Sequence, residues 1–205
     1  MKKVLILYHT VYGNTKKVAM ALTRGLEAGD LYVDCISIQE FDFQEINNYD
    51  VFGIGGPTHF YGVSKSMKSF LKHLKSLKLE NKQGFAFETK SVFKLAGSAS
   101  KKIVRELKNL KFSIVYPAIT GIVLGKKGPL QEKILDKIEQ IGLLISDNII
   151  SNGINHDENQ GINKIKNSSA KRILNYLIWI LLGGGPIFFF IRTFFIYRAL
   201  LLSMY

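Results

Sequence analysis

Hydrophobic positions along this chain fall into two alternating rhythms. Residues 4–7, 31–38, 49–55, 84–88 and 112–124 are near-continuous apolar runs rich in β-branched and aromatic side chains, and each predicts a strand. Between them the apolar residues recur at helical spacing. Val18, Ala21, Leu22 and Leu26 share one face of a helix beginning near Asn14, and Met67, Phe70, Leu71, Leu74 and Leu77 share one face of a second over residues 64–82. Two more helices are predicted over 100–110 and 131–147, and residues 42–48 read as a polar connection. Strands that are apolar on both faces need cover on both faces, so the pattern predicts an α/β doubly wound fold around a five-stranded parallel sheet.

At residue 151 the pattern changes. Asparagine, glycine, lysine and serine dominate residues 151–170, which cannot bury enough surface to fold alone and read as a linker. The remaining segment, 171–205, is hydrophobic. Ile173 to Ile191 carries no charged side chain, and 19 residues of helix would span about 28 Å, close to the ~30 Å hydrocarbon core of a bilayer. Gly183-Gly184-Gly185-Pro186 interrupts that stretch, and Arg192 and Arg198 follow it, so two shorter helices lying in one leaflet as a monotopic anchor compete with a transmembrane span. Burial in a soluble dimer is the third option. Lys164, Lys166, Lys171 and Arg172 precede the tail, which agrees with a cytoplasmic domain anchored to the membrane. The expected division is a domain at 1–150, a linker at 151–170 and a membrane-associating tail at 171–205.

Charge adds a partner class. The net charge is +12, and through residue 150 there are 22 Lys and Arg against 14 Asp and Glu, so the folded part is itself basic. Lys65, Lys68, Lys72, Lys75 and Lys78 form a stripe opposite the apolar face of the second helix. An anionic membrane surface or an acidic partner protein fits this balance. Nucleic acid is not expected, because no zinc spacing, helix-turn-helix signal or aromatic-basic strand motif is present. The single cysteine, Cys35, cannot form an internal disulfide and fits a reducing compartment. Met1-Lys2-Lys3 precedes an apolar run too short for a secretory signal. His9, His59, His73 and His156 show no metal spacing, no metal site is expected, and no Ser/His/Asp or Cys/His set identifies a catalytic residue.

The candidate chemistry lies at strand ends. Tyr8 to Thr15 reads Tyr-His-Thr-Val-Tyr-Gly-Asn-Thr, a hydroxyl-rich turn between the first strand and first helix. Thr10, Tyr12, Asn14 and Thr15 offer side-chain donors, Gly13 permits close backbone approach, and the helix start aims unpaired N–H groups at the same place. Lys16 and Lys17 occupy the first helical turn, where the macrodipole disfavours cations by about 0.3–1 kcal/mol each unless an anion is held there. Either an anion, most simply a phosphate, occupies the turn, or Asn14 or Thr15 caps the helix and the lysines are solvated. The sequence lacks the glycine-lysine loop of nucleotide triphosphatases and the glycine triplet of dinucleotide folds. At the end of the third strand, Gly55 to Gly62 reads Gly-Gly-Pro-Thr-His-Phe-Tyr-Gly, able to carry flat apolar surface where a parallel sheet binds ligands.

These loops resemble those of the flavodoxin family. Thr10, Val11, Tyr12, Gly13, Asn14 and Thr15 match the Thr-x-x-Gly-Asn-Thr element that holds the phosphate of flavin mononucleotide (FMN). The loop of Pro57, Thr58, Phe60, Tyr61 and Gly62 matches the segment along the isoalloxazine ring, with Phe60 or Tyr61 stacking and Gly62 supplying a peptide near the reactive nitrogen. Residues 89–100, with Thr89 and Gly97, resemble the third flavin-contacting loop, and residues 125–130 resemble the passage into the last helix of short-chain members. The resemblance covers about residues 3–148 and implies strand order 2-1-3-4-5, FMN as cofactor and electron transfer to redox partner proteins. A membrane-associated FMN-dependent oxidoreductase acting on a quinone or another lipid-soluble substrate is the alternative.

Overall fold

The computed structural model describes residues 2–59, 62–77, 79, 81–92, 97–125 and 127–154. Six strands and four helices are described, alternating except that the fifth and sixth strands follow one another directly. Strand β1 (Lys3–Tyr8) leads to helix α1 (Asn14–Glu27), then β2 (Tyr32–Ser37), a 3₁₀ turn at Phe43–Asn48 and β3 (Val51–Pro57). Helix α2 (Lys65–Ser76), strand β4 (Gln83–Ser91) and helix α3 (Ala99–Asn109) follow. The chain then forms β5 (Ser113–Ile114), β6 (Ile119–Val123) and helix α4 (Ile134–Ile154).

The sheet is parallel throughout, in the order β2-β1-β3-β4-β5, with β6 also paired to β4. Leu5, Leu7, Phe52 and Ile54 face α2 and α3 in one core layer, while Val4, Ile6, Val51, Phe85 and Phe87 face α1 and α4 in the other. Glycines make two of these contacts possible. Gly53 and Gly55 lie opposite Phe85 and Phe87 in register, and a Cβ at Gly55 would come within 2.3 Å of the Phe87 ring. On the far side, α1 crosses α4 at Gly25 and Gly142, where a Cβ on Gly25 would meet the Glu139 carbonyl at 1.9 Å.

The structure revises several expected boundaries. The fifth strand, predicted as continuous over 112–124, is split: Ser113–Ile114 pairs with the start of β4 and Ile119–Val123 with its end. Pro117 stands in the gap, where it can donate no ladder bond and also restricts Tyr116 before it. Helix α2 stops at Ser76 instead of reaching Lys82, because Leu77 turns extended (ψ 144°) and sends Leu79 into the core. Lys78 lies outside the described residues, and Lys82 is not helical but bonds the Tyr49 carbonyl at 2.7 Å. Strand β4 runs three residues beyond Glu88. Helix α4 continues through Ile154, so the start of the expected linker, residues 151–154, is helix and a domain end at 150 would cut it. Among the described residues no helix is long and apolar enough to cross a membrane. The rest of the expected linker and the whole tail lie outside the described residues.

Candidate functional site

Strands β1, β3 and β4 end side by side, so the loops that leave them share one edge of the sheet. Helix α1 starts on Gly13, whose φ of +80° places it in the left-handed region where glycine alone is unstrained. No side chain caps this helix. Asn14 instead donates its Nδ2 to the Lys127 carbonyl at 3.0 Å, and Thr15 Oγ1 bonds Thr89 Oγ1 at 2.8 Å. The capping role open to Asn14 or Thr15 is therefore not taken. Lys17 N–H to Gly13 C=O, 3.1 Å, closes the first turn, so the N–H groups of Asn14, Thr15 and Lys16 lie ahead of any helical acceptor. The first turn holds no acidic side chain.

Thr10 completes this cradle. Its Oγ1 is buried and has no hydrogen-bond partner, and an unpaired buried hydroxyl costs about 1–3 kcal/mol. The residue sits on the wall of an open cleft of about 260 Å³. From the predicted set, Thr10, Val11, Tyr12, Asn14, Thr15, Pro57, Thr58 and Thr89 all line that cleft. Orphan hydroxyl, uncapped N–H groups and cationic first turn together suit the terminal phosphate of a ligand.

Not every expected residue enters the cleft. Gly97 stands one residue before Ser98, the N-cap of α3, and is not among the cleft walls. Gly62 folds back on His59: the His59 N–H donates to the Gly62 carbonyl at 2.8 Å and the Gly62 N–H to the His59 carbonyl at 3.0 Å. Phe60 and Tyr61, expected to stack on a ring, lie outside the described residues. His59, Lys90, Ser91, Val123 and Gly125 line the cleft without having been singled out as its walls. Period-two alternation continued past Phe87 would have put Thr89 and Ser91 on the α1 side of the sheet. No local signal marks Val123 or Gly125, which reach the cleft through the pairing of β6 with β4.

Behind the cleft lies a carboxylate that the sequence reading also missed. Glu88 is 1% exposed and accepts from Ser100 N–H (3.0 Å), Thr58 Oγ1 (2.8 Å), Thr120 Oγ1 (3.1 Å) and Ser98 Oγ (3.1 Å). Burial pushes the Glu88 carboxyl up, but the Ser100 N–H and the Thr58, Ser98 and Thr120 hydroxyls outweigh it and hold the group below the ordinary carboxylate range. Thr58 Oγ1 also accepts from Ala99 N–H at 3.1 Å, and Thr58 N–H donates to the Thr89 carbonyl at 2.8 Å. One anion thereby ties together the loop after β3, the start of α3 and strand β6. His9 is also committed elsewhere: its Nδ1 lies 3.1 Å from Ser64 Oγ, and burial, then the nearby His59, lowers its pKa and favours the neutral ring.

The sequence model of the family described as Flavodoxin matches residues 6–139. The chain is 28% identical over 127 residues to a flavodoxin of Clostridium saccharobutylicum, covering 60% of this chain and 77% of that protein. It is 31% identical over 111 residues to an NAD(P)H dehydrogenase (quinone) of Acidovorax ebreus, covering 42% of this chain and 56% of that protein. Among solved structures, a flavodoxin from the domain Archaea superposes with a TM-score of 0.64 at 21% identity, covering 72% of this chain and 99% of that one.

Proposed function

Since the chain belongs to the flavodoxin family, we propose that it is an FMN-dependent electron-transfer protein whose domain is held at a membrane by residues 171–205. FMN is the cofactor of the family, and when bound it supplies reversible uptake and release of electrons. The observation that carries the reading is Thr10 Oγ1, a buried hydroxyl without a partner beside the uncapped start of α1. Thr10, Asn14, Thr15 and the N–H groups of the first turn would hold the phosphate end. Pro57, Thr58 and Thr89 would border the rest of the ligand, with Phe60, Tyr61, Gly62 and Gly97 as candidates on the adjoining loops.

What the protein itself contributes is a hydrogen-bonded frame. The Thr15–Thr89 bond joins the phosphate loop to β4, and Glu88 fixes Thr58 and the start of α3 from behind. Such a frame holds a cofactor in one geometry, and its two buried titratable groups are committed elsewhere, since the Glu88 carboxylate is surrounded by donors and His9 is tucked against Ser64. This favours a carrier that passes electrons to redox partner proteins. The likeness to a quinone dehydrogenase supports the second reading, an FMN-dependent oxidoreductase of a lipid-soluble substrate.

Membrane attachment rests on the uncharged stretch Ile173 to Ile191 and on Lys164, Lys166, Lys171 and Arg172 before it, which favour a cytoplasmic domain. The test is a titration of the full-length protein, in mild detergent, with FMN. Saturable uptake with flavin absorption near ~450 nm, reversible anaerobic reduction and no turnover of NAD(P)H with a soluble quinone are expected. Colourless protein that takes up no FMN overturns the proposal, and rapid quinone turnover replaces the carrier with the oxidoreductase.

A further inference from the structure

The lysine stripe of α2 is half of a larger surface. Helices α2 and α3 pack side by side on the same face of the sheet, with Met67, Phe70, Leu71 and Leu74 of one and Ile103 and Leu107 of the other in a common core layer. Lys75 reaches across to Glu106 of α3 and pairs with it, which shows the flanks by which the two helices face one another. With about 3.6 residues per turn, Lys65 and Lys72 then fall on the crest of α2, while Lys68 and Lys75 fall on its flank toward α3. On α3, Lys101, Arg105 and Lys108 are exposed and face away from Ile103 and Leu107. The two helices carry one carboxylate between them, Glu106, and Lys75 already neutralises it.

A protein-docking site has an apolar or aromatic centre with charges at its rim. This face has none: the exposed large hydrophobics of the described residues, Val11, Tyr12, Met20, Tyr32, Val92, Leu124 and Ile150, all lie off α2 and α3. Its cations are lysines with a single arginine, point charges on flexible stems that suit a fluid array of anions better than one fixed bidentate partner. The α2 helix, 12 residues long, presents them along about 18 Å. The uncharged stretch Ile173 to Ile191 adds to this, since a polybasic surface and a hydrophobic segment carried by one chain are the pairing that anionic bilayers bind.

We propose that the α2–α3 face is a docking surface for anionic lipid headgroups, laying the domain on the bilayer that its tail enters. The proposal rests on the membrane reading above. Helix α3 begins next to Thr58, a wall of the cleft, so a domain lying on this face keeps the cleft near the bilayer.

Flotation of the full-length protein with phosphatidylcholine vesicles, with and without phosphatidylglycerol, tests it. The tail alone is read by binding to neutral vesicles in high salt, and failure there defeats the anchor separately from the face. The face is read by the preference for anionic over neutral vesicles in low salt. The pair Lys72→Gln with Arg105→Gln should cut that preference at least about fivefold, whereas the charge-matched pair Lys133→Gln with Lys137→Gln, at the start of α4 on the opposite side of the sheet, should change it less than about twofold. Far-UV dichroism and FMN content should match the parent for both pairs. Equal losses from the two pairs would mean bulk charge and not this face. No anionic preference in the parent overturns the proposal, as does a face variant that binds vesicles normally yet loses electron transfer to an acidic redox protein.

Discussion

Removing the charge of Glu88 tests whether a buried anion organises the cleft. Both Ser100 N–H and Thr58 Oγ1 donate to Oε2, while Thr120 donates to Oε1 and Ser98 Oγ sits within reach of both oxygens. In Glu88→Gln the carbonyl can keep the Oε2 position and satisfy the backbone donor, and the new amide faces two hydroxyls that can turn and accept. What is lost is the pairing with Lys90 Nζ, 3.7 Å from Oε1, and the ionic share of the bonds, which in a charged hydrogen bond is about half its 1.5–3 kcal/mol, offset by a smaller desolvation cost. The expected destabilisation is about 1–3 kcal/mol, or several degrees in Tm for a domain of this size. Glu88→Leu leaves the Ser100 N–H and the hydroxyls facing a hydrocarbon and should cost more, about 3–5 kcal/mol. The pH dependence carries the sharper test. Since the folded carboxyl lies below its unfolded value of about 4.3, its contribution is complete above that pH and is lost as pH falls through the folded pKa. Thermal melts of the FMN-free full-length protein in mild detergent, followed by near-UV dichroism from neutral pH down to about 3, should show a flatter acid limb for Glu88→Gln than for the parent. A Gln variant with unchanged Tm and an identical acid limb would refute the reasoning.

Two further substitutions separate stability from binding. Thr10→Val removes the unpaired hydroxyl, so the FMN-free protein should be as stable as the parent or slightly more so, while FMN affinity measured by fluorescence quenching should fall about tenfold or more; unchanged affinity would detach Thr10 from the phosphate. Gly142→Ala should destabilise the domain by more than about 2 kcal/mol, because its Cβ would sit 2.6 Å from the Leu22 carbonyl and force α1 off α4; a denaturant midpoint equal to the parent's would show that the two helices can part freely.

Much of this protein is legible in its sequence because its signals are local. An apolar run between turn residues marks each of the first four strands, the 3.6 period marks the buried faces of α1 and α2, and Thr10 to Thr15 carries its candidate ligand chemistry within six residues. The five-strand order, expected from the family resemblance, is the order observed. Boundaries are less legible. Leu77 matches the helical period of α2, yet the chain is extended there because burying Leu79 outweighs one more turn. The role of Glu88 is not legible at all: its partners Thr58 and Thr120 lie 30 and 32 positions away. Only parallel pairing of β4 with β3 and β6 brings them to the same carboxylate. The same holds for the basic face, where a lysine period on α2 is visible in sequence but its union with α3 depends on two crossovers landing on one side of the sheet. Periodicity along the chain decides which side of an element is apolar, and the register between elements, set by packing, decides which polar groups meet.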